Sequence, residues 1–326
     1  MDVVGIDLAK LSFDATLLTS SGAQHYQAFP NTPAGFTQLD AWLHQHGVAQ
    51  VHLCMEATNI YWEALAAWGH AQGHVVSVVN PARIKGHARA TMQRNKTDKL
   101  DSAVIADFCA KHRPAAWEPL TAAQHQLRAL LRHRDDLLQT RLQQENRLRD
   151  TTNALVRASL EAVLEAVATQ LTAVDRSITA HVKAQAALAA DLALLTSVVG
   201  IGALTAAKVL GEMPDLAQYD SAKAADADTG VTPSHFQSGT SVRRRPRMSK
   251  QGKAGLRAAL YWPAITAMNR CPGFKAFAED LAKRGKPKKV IIGAVMRKLM
   301  HVMYGVLKHR TPYDPAKAFR RTTPAT

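Results

Sequence analysis

Four acidic residues in three separated places are the first candidates for shared chemistry: Asp7, Glu56, and the pair Asp98 and Asp101. Asp7 ends the apolar run VVGID and Glu56 ends VHLCME, while Asp98 and Asp101 are spaced i, i+3, so that a helix shows both on one face. Four converging carboxylates repel one another and stay ionised together only where cations neutralise them. An all-oxygen donor set selects Mg²⁺ or Mn²⁺. On a strongly basic chain such a site points to metal-assisted cutting or joining of nucleic acid. Taken singly, each acid has a plainer reading. Asp7 could cap a turn, Glu56 could pair with an arginine, and Asp98 and Asp101, like Asp107, could be solvated helix acids. Lys96, just upstream, is placed to contact a phosphate or pair with a carboxylate.

A second constellation is Ser238-Gly239-Thr240-Ser241, followed by Arg243, Arg244, Arg245, Arg247 and Lys250. A serine hydroxyl is a weak nucleophile that needs a base or a metal to activate it, and guanidinium groups would stabilise charge on a transferring phosphoryl group. Gly239 removes a side chain beside Ser238, so a backbone could approach closely. On residue chemistry alone, a Ser/Gly loop that merely clamps phosphates ahead of a basic helix is the leading reading.

The elements that must position these residues fall into three blocks. In residues 1–120, VVGIDLA, SFDATLLT, QHYQAFP, VHLCMEA and VVSVVN are short apolar runs bounded by Gly, Ser, Asn or Pro, as strands are. GFTQLDAWLHQHG and YWEALAAWGHAQG have helical spacing and stop at glycine. Three strands, a helix, a strand, a helix and a strand is the order of an α/β domain like RNase H. Residues 121–195 contain no Gly or Pro and repeat apolar positions every three or four residues, which predicts a helical hairpin or coiled coil acting as spacer or oligomerisation element. Residues 196–326 open with SVVGIGALTAAKVLGEM, where Gly200 and Gly202 resemble the turn of a phosphate-gripping helix-hairpin-helix; an ordinary glycine-containing helix connection is the alternative. Beyond it a polar loop leads through the basic run into a helix, then two helices flank a Lys-rich turn. The tail after Pro312 reads as loose.

Composition narrows the classes. Residues 241–326 hold 21 of the 41 Lys+Arg and only three of the 26 acids, an imbalance that favours a polyanionic partner. Asp2 and Asp7 interrupt the first apolar stretch, which argues against a secretory leader, and no uncharged apolar run reaches the ~18 residues of a membrane span. The expectation is a cytoplasmic, nucleoid-associated protein with no membrane partner. Cys54, Cys109 and Cys271 form no CxxC and read as core thiols.

Several segments, in this order along the chain, carry a specific resemblance: GIDLAK, CMEATNIYW, VSVVNPARIKGHARA, RNKTDKLDSAVIADFCAKHRPAAW, VVGIG, GVTPSHFQSGTSVRRRPRMSKQGKAGLRAALY and GAVMRKLMHVMYGVL. Together they resemble the insertion-sequence transposases that join a RuvC-like DEDD domain to a C-terminal serine domain, the bridge-RNA-guided recombinases related to the invertase Piv. The resemblance implies an RNase H/RuvC-like α/β domain, then a coiled-coil region and a mostly α-helical C-terminal domain. It implies a metal-binding tetrad at Asp7, Glu56, Asp98 and Asp101, and a nucleophile at Ser238 with Ser241 as runner-up. It further implies a covalent phosphoserine intermediate and Mg²⁺ or Mn²⁺ as cofactor. The implied partners are double-stranded target and donor DNA, a structured non-coding guide RNA, and further copies of the chain, from dimer to tetramer. Two departures mark this sequence. An acid, Asp228, stands in Ala227-Asp228-Thr229 where the family has an apolar step, and Val199 replaces the proline before Gly200. The residues alone leave two rivals open: a RuvC-like nuclease using activated water, and a nucleic-acid-binding protein without catalysis.

Overall fold

The computed structural model describes residues 1–57, 60–91, 98–214, 216–238 and 242–319; the side chains of 98, 235–238 and 242–245 lie outside this description. The chain forms two compact units, residues 1–119 and residues 120 onward.

The first unit is built on five strands: β1 (Val3–Leu8), β2 (Ser12–Leu18), β3 (Gln24–Pro30), β4 (His52–Glu56) and β5 (Val75–Val79). Their order is β3-β2-β1-β4-β5. β1, β2 and β3 pair antiparallel, and β1, β4 and β5 pair parallel. This mixed RNase H-like sheet has the element order read from the sequence. Alternation splits each strand between two cores. One core joins Val4, Ile6, Phe13, Ala15, Leu17, Leu53 and Met55 to α1 (Pro33–Gln45) and α2 (Glu63–Ala71). The other joins Val3, Cys54 and Val79 to α3 (Pro81–Ala90) and α4 (Asp98–His112). Sequence reading ended β5 at Pro81 and missed α3. Pro81 is its first residue, and the Asn80 side chain caps it by accepting from the Ala82 amide at 2.9 Å.

Gly5 fixes how α4 lies. A Cβ there would overlap the Ala106 amide nitrogen and the Ser102 carbonyl oxygen, so only glycine lets the helix cross β1 at this depth. A buried hydrogen bond of 2.8 Å between the Ser102 and Thr16 hydroxyls ties the same turn to β2. Cys109, farther along α4, is buried in the same core cluster as Cys54 on β4. The helix is thereby laid across three strands.

The second unit is largely helical. α5 (Ala122–Asp150) and α6 (Ala154–Ala184) form the long hairpin expected, each entered through a side-chain cap: a Thr121–Gln124 capping box and Asn153. Ion pairs cross the hairpin and leave it: Arg134 Nε donates to Asp175 at 2.5 Å, and Asp135 pairs with Lys208. The hairpin shares its core with the elements that follow, through Leu127, Leu131, Val174, Ile178 and Val182. Those elements are α7 (Ala186–Thr196), α8 (Ala203–Glu212), a 3₁₀ turn (Leu216–Gln218), α9 (Ala222–Thr229), β6 (Pro233–Ser238), β7 (Val242–Met248), α10 (Ala254–Ala259), α11 (Tyr261–Arg270), α12 (Pro272–Lys283), α13 (Lys288–His309) and α14 (Pro315–Ala318). α13 is apolar and long enough to cross a bilayer, but more than half of it is buried in this core, and the helix starts on Lys288 and Lys289. The segment read as a polar loop running into a basic stretch is instead the hairpin β6–β7, with the basic run as its second strand. The described part of the tail read as loose carries α14 and sets Phe319 edge-on to Phe274, their ring centroids 4.9 Å apart, while residues 320–326 lie outside the described residues.

Candidate active site

The register of β1 on β4 runs Gly5 to Cys54 and Ile6 to Met55, so one more step sets Asp7 beside Glu56 at the C-terminal ends of two parallel strands. Strand alternation gives Asp7 the face of Gly5 and gives Glu56 the face of Cys54, which is the face crossed by α4. Both residues are half-buried. Asp101 is half-buried too, and precedes Ser102, the residue that seats α4 on Gly5 and Thr16. Asp98 is the first residue of α4, one turn earlier. Asp7, Glu56 and Asp101 thus share one face, positioned by backbone register and by one glycine contact.

Sequence reading missed a further carboxylate on this face. Asp14 on β2 pairs directly with Asp7, and Tyr26 donates its hydroxyl to Asp14 at 2.5 Å. Like charges opposite one another in a sheet are destabilising unless neighbouring donors or cations offset them. The available signal was the alternation of SFDAT, which puts Asp14 in phase with Thr16. Among the described residues no three His, Cys, Asp or Glu side chains stand close enough to hold a metal ion. The Asp98 side chain and residues 92–97, Lys96 among them, lie outside that description. By donor chemistry the set is nevertheless the all-oxygen kind that suits Mg²⁺ or Mn²⁺.

Asp107, farther along α4, accepts from Lys111 at 2.8 Å and meets His87 Nε2 at 2.7 Å. Burial alone would raise its carboxyl, but these two partners outweigh it and hold the group below the usual carboxylate range. It belongs to the packing of α3 on α4, as its plainer reading had it.

In the second unit, Ser238 is the last residue of β6, and its backbone pairs with Val242. Arg243 and Arg244 pair with Gln237 and Phe236, and Arg247 pairs with Ser234. The register shifts between Ser234 and Phe236, so Arg245 and Pro246 bulge opposite His235. A bulge suits Pro246, which has no amide hydrogen for a ladder. Ser241 lies outside the described residues. Arg247 and Lys250 are exposed, and the Lys250 amide donates to the Gly230 carbonyl at 3.1 Å.

The hairpin is rooted on α9. Asp226, fully buried, accepts from Thr232 at 2.5 Å and Arg297 at 2.5 Å, and meets His301 Nε2 at 2.6 Å. Burial would raise its carboxyl, but the Thr232, Arg297 and His301 hydrogen bonds and the Arg297 charge hold it below the ordinary range. The Thr232 carbonyl in turn accepts from the Ser249 amide at 2.9 Å, so both ends of the hairpin meet at this network. The departure Asp228 is accommodated: Tyr219 donates to it at 2.8 Å, and Lys253 lies 3.6 Å away. Gly200 has φ of +95°, and a Cβ there would come within 2.6 Å of the Pro263 carbonyl, so it serves close packing on α11. Gly202 is exposed at the start of α8, where its backbone amides lack a side-chain cap.

Comparison with known proteins joins the two units. A family model described as a transposase, of the DEDD type of IS110, matches residues 4–156. A second, described as "Transposase IS116/IS110/IS902 family", matches residues 192–279. The chain is similar to the pilin gene-inverting protein of Moraxella lacunata, 34% identical over 318 residues that cover 95% of this chain and 97% of the relative. It is also similar to the pilin gene-inverting protein of Moraxella bovis, 33% identical over the same length and coverage. An insertion element IS110 uncharacterized 43.6 kDa protein of Streptomyces coelicolor is 26% identical over 159 residues, 48% of this chain and 39% of the relative. With both halves matched and the pilin gene-inverting proteins aligned almost end to end, the chain belongs to the IS110 family of transposases and related DNA recombinases.

Proposed function

We propose that this transposase cuts and rejoins DNA through Ser238, with Asp7, Glu56, Asp98 and Asp101 holding Mg²⁺ or Mn²⁺ at the same phosphate. The observation that carries the reading is the register that makes Asp7 and Glu56 neighbours on the face crossed by the helix bearing Asp98 and Asp101. A bound divalent ion would supply Lewis acidity to the phosphoryl oxygens. Ser238 Oγ attacks phosphorus as its proton leaves, the Ser238–phosphate bond forms, and one strand departs as an alcohol. Attack by a second strand's hydroxyl reverses the step and restores the serine. Arg243, Arg244, Arg245, Arg247 and Lys250 neutralise the phosphates on either side, with Lys96, Ser241 and the amides near Gly200 and Gly202 adding contacts. A structured RNA pairs with target and donor DNA and supplies sequence choice, and two to four copies of the chain assemble so that one copy's acidic face serves another's serine.

The deciding experiment traps recombination intermediates and sequences the peptide bound to DNA. The expected adduct is on Ser238, lost in Ser238→Ala while DNA and RNA binding persist; Ser238→Cys keeps a fraction, because a thiolate is strongly nucleophilic. An adduct on Ser241 moves the assignment by three residues. Strand cleavage that survives Ser238→Ala without any adduct would give the chemistry to activated water instead. RNA sequencing of the protein purified from its host tests the guide.

A further inference from the structure

Trp262, on the first turn of α11, is 72% exposed. The other four tryptophans, Trp42, Trp62, Trp68 and Trp117, are buried or half-buried in the first unit. Tyr261 beside it is 39% exposed, and the two rings meet edge to face with centroids 5.5 Å apart. A bare indole braced by a second ring is costly in water and is not explained by the core, which α11 reaches through Pro263, Ala264 and Ala267.

The surroundings specify what covers it. Residues 229–278 contain no Asp or Glu, so an anionic partner meets no opposing acid along this stretch. Thr266 and Arg270 follow Trp262 at i+4 and i+8 on the same helix face, and Arg270 is exposed. Arg257, one turn before Tyr261, is engaged elsewhere, donating to the Thr229 carbonyl at 3.2 Å, so the exposed guanidinium of α11 is that of Arg270. One turn before Trp262 is Ala258, exposed and too small to shield the ring. A flat π-surface with an exposed guanidinium farther along the same helix and no acid in the surrounding stretch of chain suits one chemistry, an unpaired nucleobase stacked on the indole with its phosphates met by arginine. Paired bases present no free face to a protein ring, so the occupant is single-stranded.

We propose that Trp262, braced by Tyr261 and lined by Arg270, is a stacking ledge for an unpaired base of single-stranded nucleic acid. The inference rests on the recombinase reading only for the presence of nucleic acid, and it is independent of Ser238. The test uses the full-length protein with short oligothymidylate, oligouridylate and a duplex. Both single strands are expected to quench a component of the tryptophan emission that is missing in Trp262→Phe. Trp262→Ala is expected to weaken single-strand binding about tenfold and leave duplex binding unchanged, while Trp262→Phe keeps most of the affinity through its own ring. A larger loss with oligouridylate assigns the ledge to RNA, a larger loss with oligothymidylate assigns it to an opened DNA strand, and equal losses make it a general base platform. Unchanged single-strand affinity in Trp262→Ala overturns the proposal. So does a fall in the native mass of that variant with single-strand affinity intact, because the ring would then join copies of the chain. Adduct formation without tryptophan quenching would sink the ledge and leave the recombinase reading standing; quenching without an adduct would do the reverse.

Discussion

The two units hold their candidate chemistry in different ways. In the first, Asp7 and Glu56 are placed by the backbone ladder of parallel strands, and α4 is seated by the missing side chain of Gly5. In the second, Ser238 sits on a two-stranded hairpin whose ends are tied to α9 by one buried carboxylate, Asp226, and its partners. A central sheet holds position through many bonds that no single side chain controls. An isolated hairpin is marginal alone and depends on what roots it. The acidic face is therefore rigid by construction, and the serine strand is rigid only while the Asp226 network is intact.

That contrast breaks most sharply at the acids themselves. Asp7→Asn, Glu56→Gln and Asp101→Asn each keep side-chain size and remove anionic ligation, so each is expected to cut strand transfer by about a thousandfold or more. Because the sheet and not the carboxylates sets the fold, melting temperature without metal should hold or rise as repulsion among Asp7, Asp14 and Glu56 is relieved. Titration with Mn²⁺ checks the assignment: metal affinity unchanged in an Asp7→Asn, Asp101→Asn double variant would remove the tetrad from consideration.

Gly5→Ala tests the seating of α4 without touching an acid. The added methyl would overlap the backbone at Ser102 and Ala106, which cannot move aside as a flexible side chain could. A loss of about 3 kcal/mol is expected, together with reduced strand transfer, readable by denaturant melts and a recombination assay. A variant as stable and active as the parent would show that α4 can shift on the sheet.

In the second unit the corresponding probe is Asp226. Asp226→Ala leaves Arg297 without its buried partner and is expected to cost about 3–5 kcal/mol, with greater protease sensitivity at the β6–β7 hairpin. The pH dependence has a definite sign. A carboxyl held below its ordinary value contributes stability above about pH 4, and that contribution is lost as pH falls through the lowered folded value. Asp226→Asn should therefore flatten the acid limb of the unit's stability curve. An acid limb identical to the parent's would mean that the network does not root the hairpin.

How far these features could be read from sequence follows the same division. The strands of the first unit are legible because alternation, bounding Gly and Pro, and terminal acids agree, and Asp7 and Glu56 each close an apolar run. The helix α3 escaped because its residues are too polar to show a face, although Asn80-Pro81 is a cap followed by a favoured first helical residue. The hairpin escaped because VRRRPRM has no apolar alternation and contains a proline, and its bulge becomes visible only once the partner strand is known. Asp226 escaped for a different reason: Arg297 and His301 are 71 and 75 residues away, beyond any local pattern.

The arginine run tests whether the hairpin meets DNA. Arg243, Arg244, Arg245 and Arg247 replaced together by Gln should weaken duplex binding and flatten its salt dependence, by roughly 0.9 in the log–log slope for each phosphate contact removed. An unchanged slope would turn these guanidinium groups toward solvent or protein.

The smallest effect is expected at Asp228, the acid that the family resemblance marks as a departure. An acid replacing an apolar step would be expensive if it were buried without partners. Here Tyr219 donates to it at 2.8 Å, and Lys253 lies 3.6 Å away with both side chains about one-third exposed. Lys253 also reaches the Glu212 carbonyl, so the departure is absorbed by a small polar cluster at the end of α8. A pair this exposed is screened by water and salt and contributes at most about 1 kcal/mol. Asp228→Ala should therefore lower stability by no more than about that amount, with the loss shrinking in high salt and adduct formation at Ser238 retained. The companion variant Lys253→Met removes the cation and keeps the length of its stem. If either change abolished recombination while the melting temperature stayed within a few degrees of the parent's, Asp228 would have to be moved from the scaffold to the chemistry.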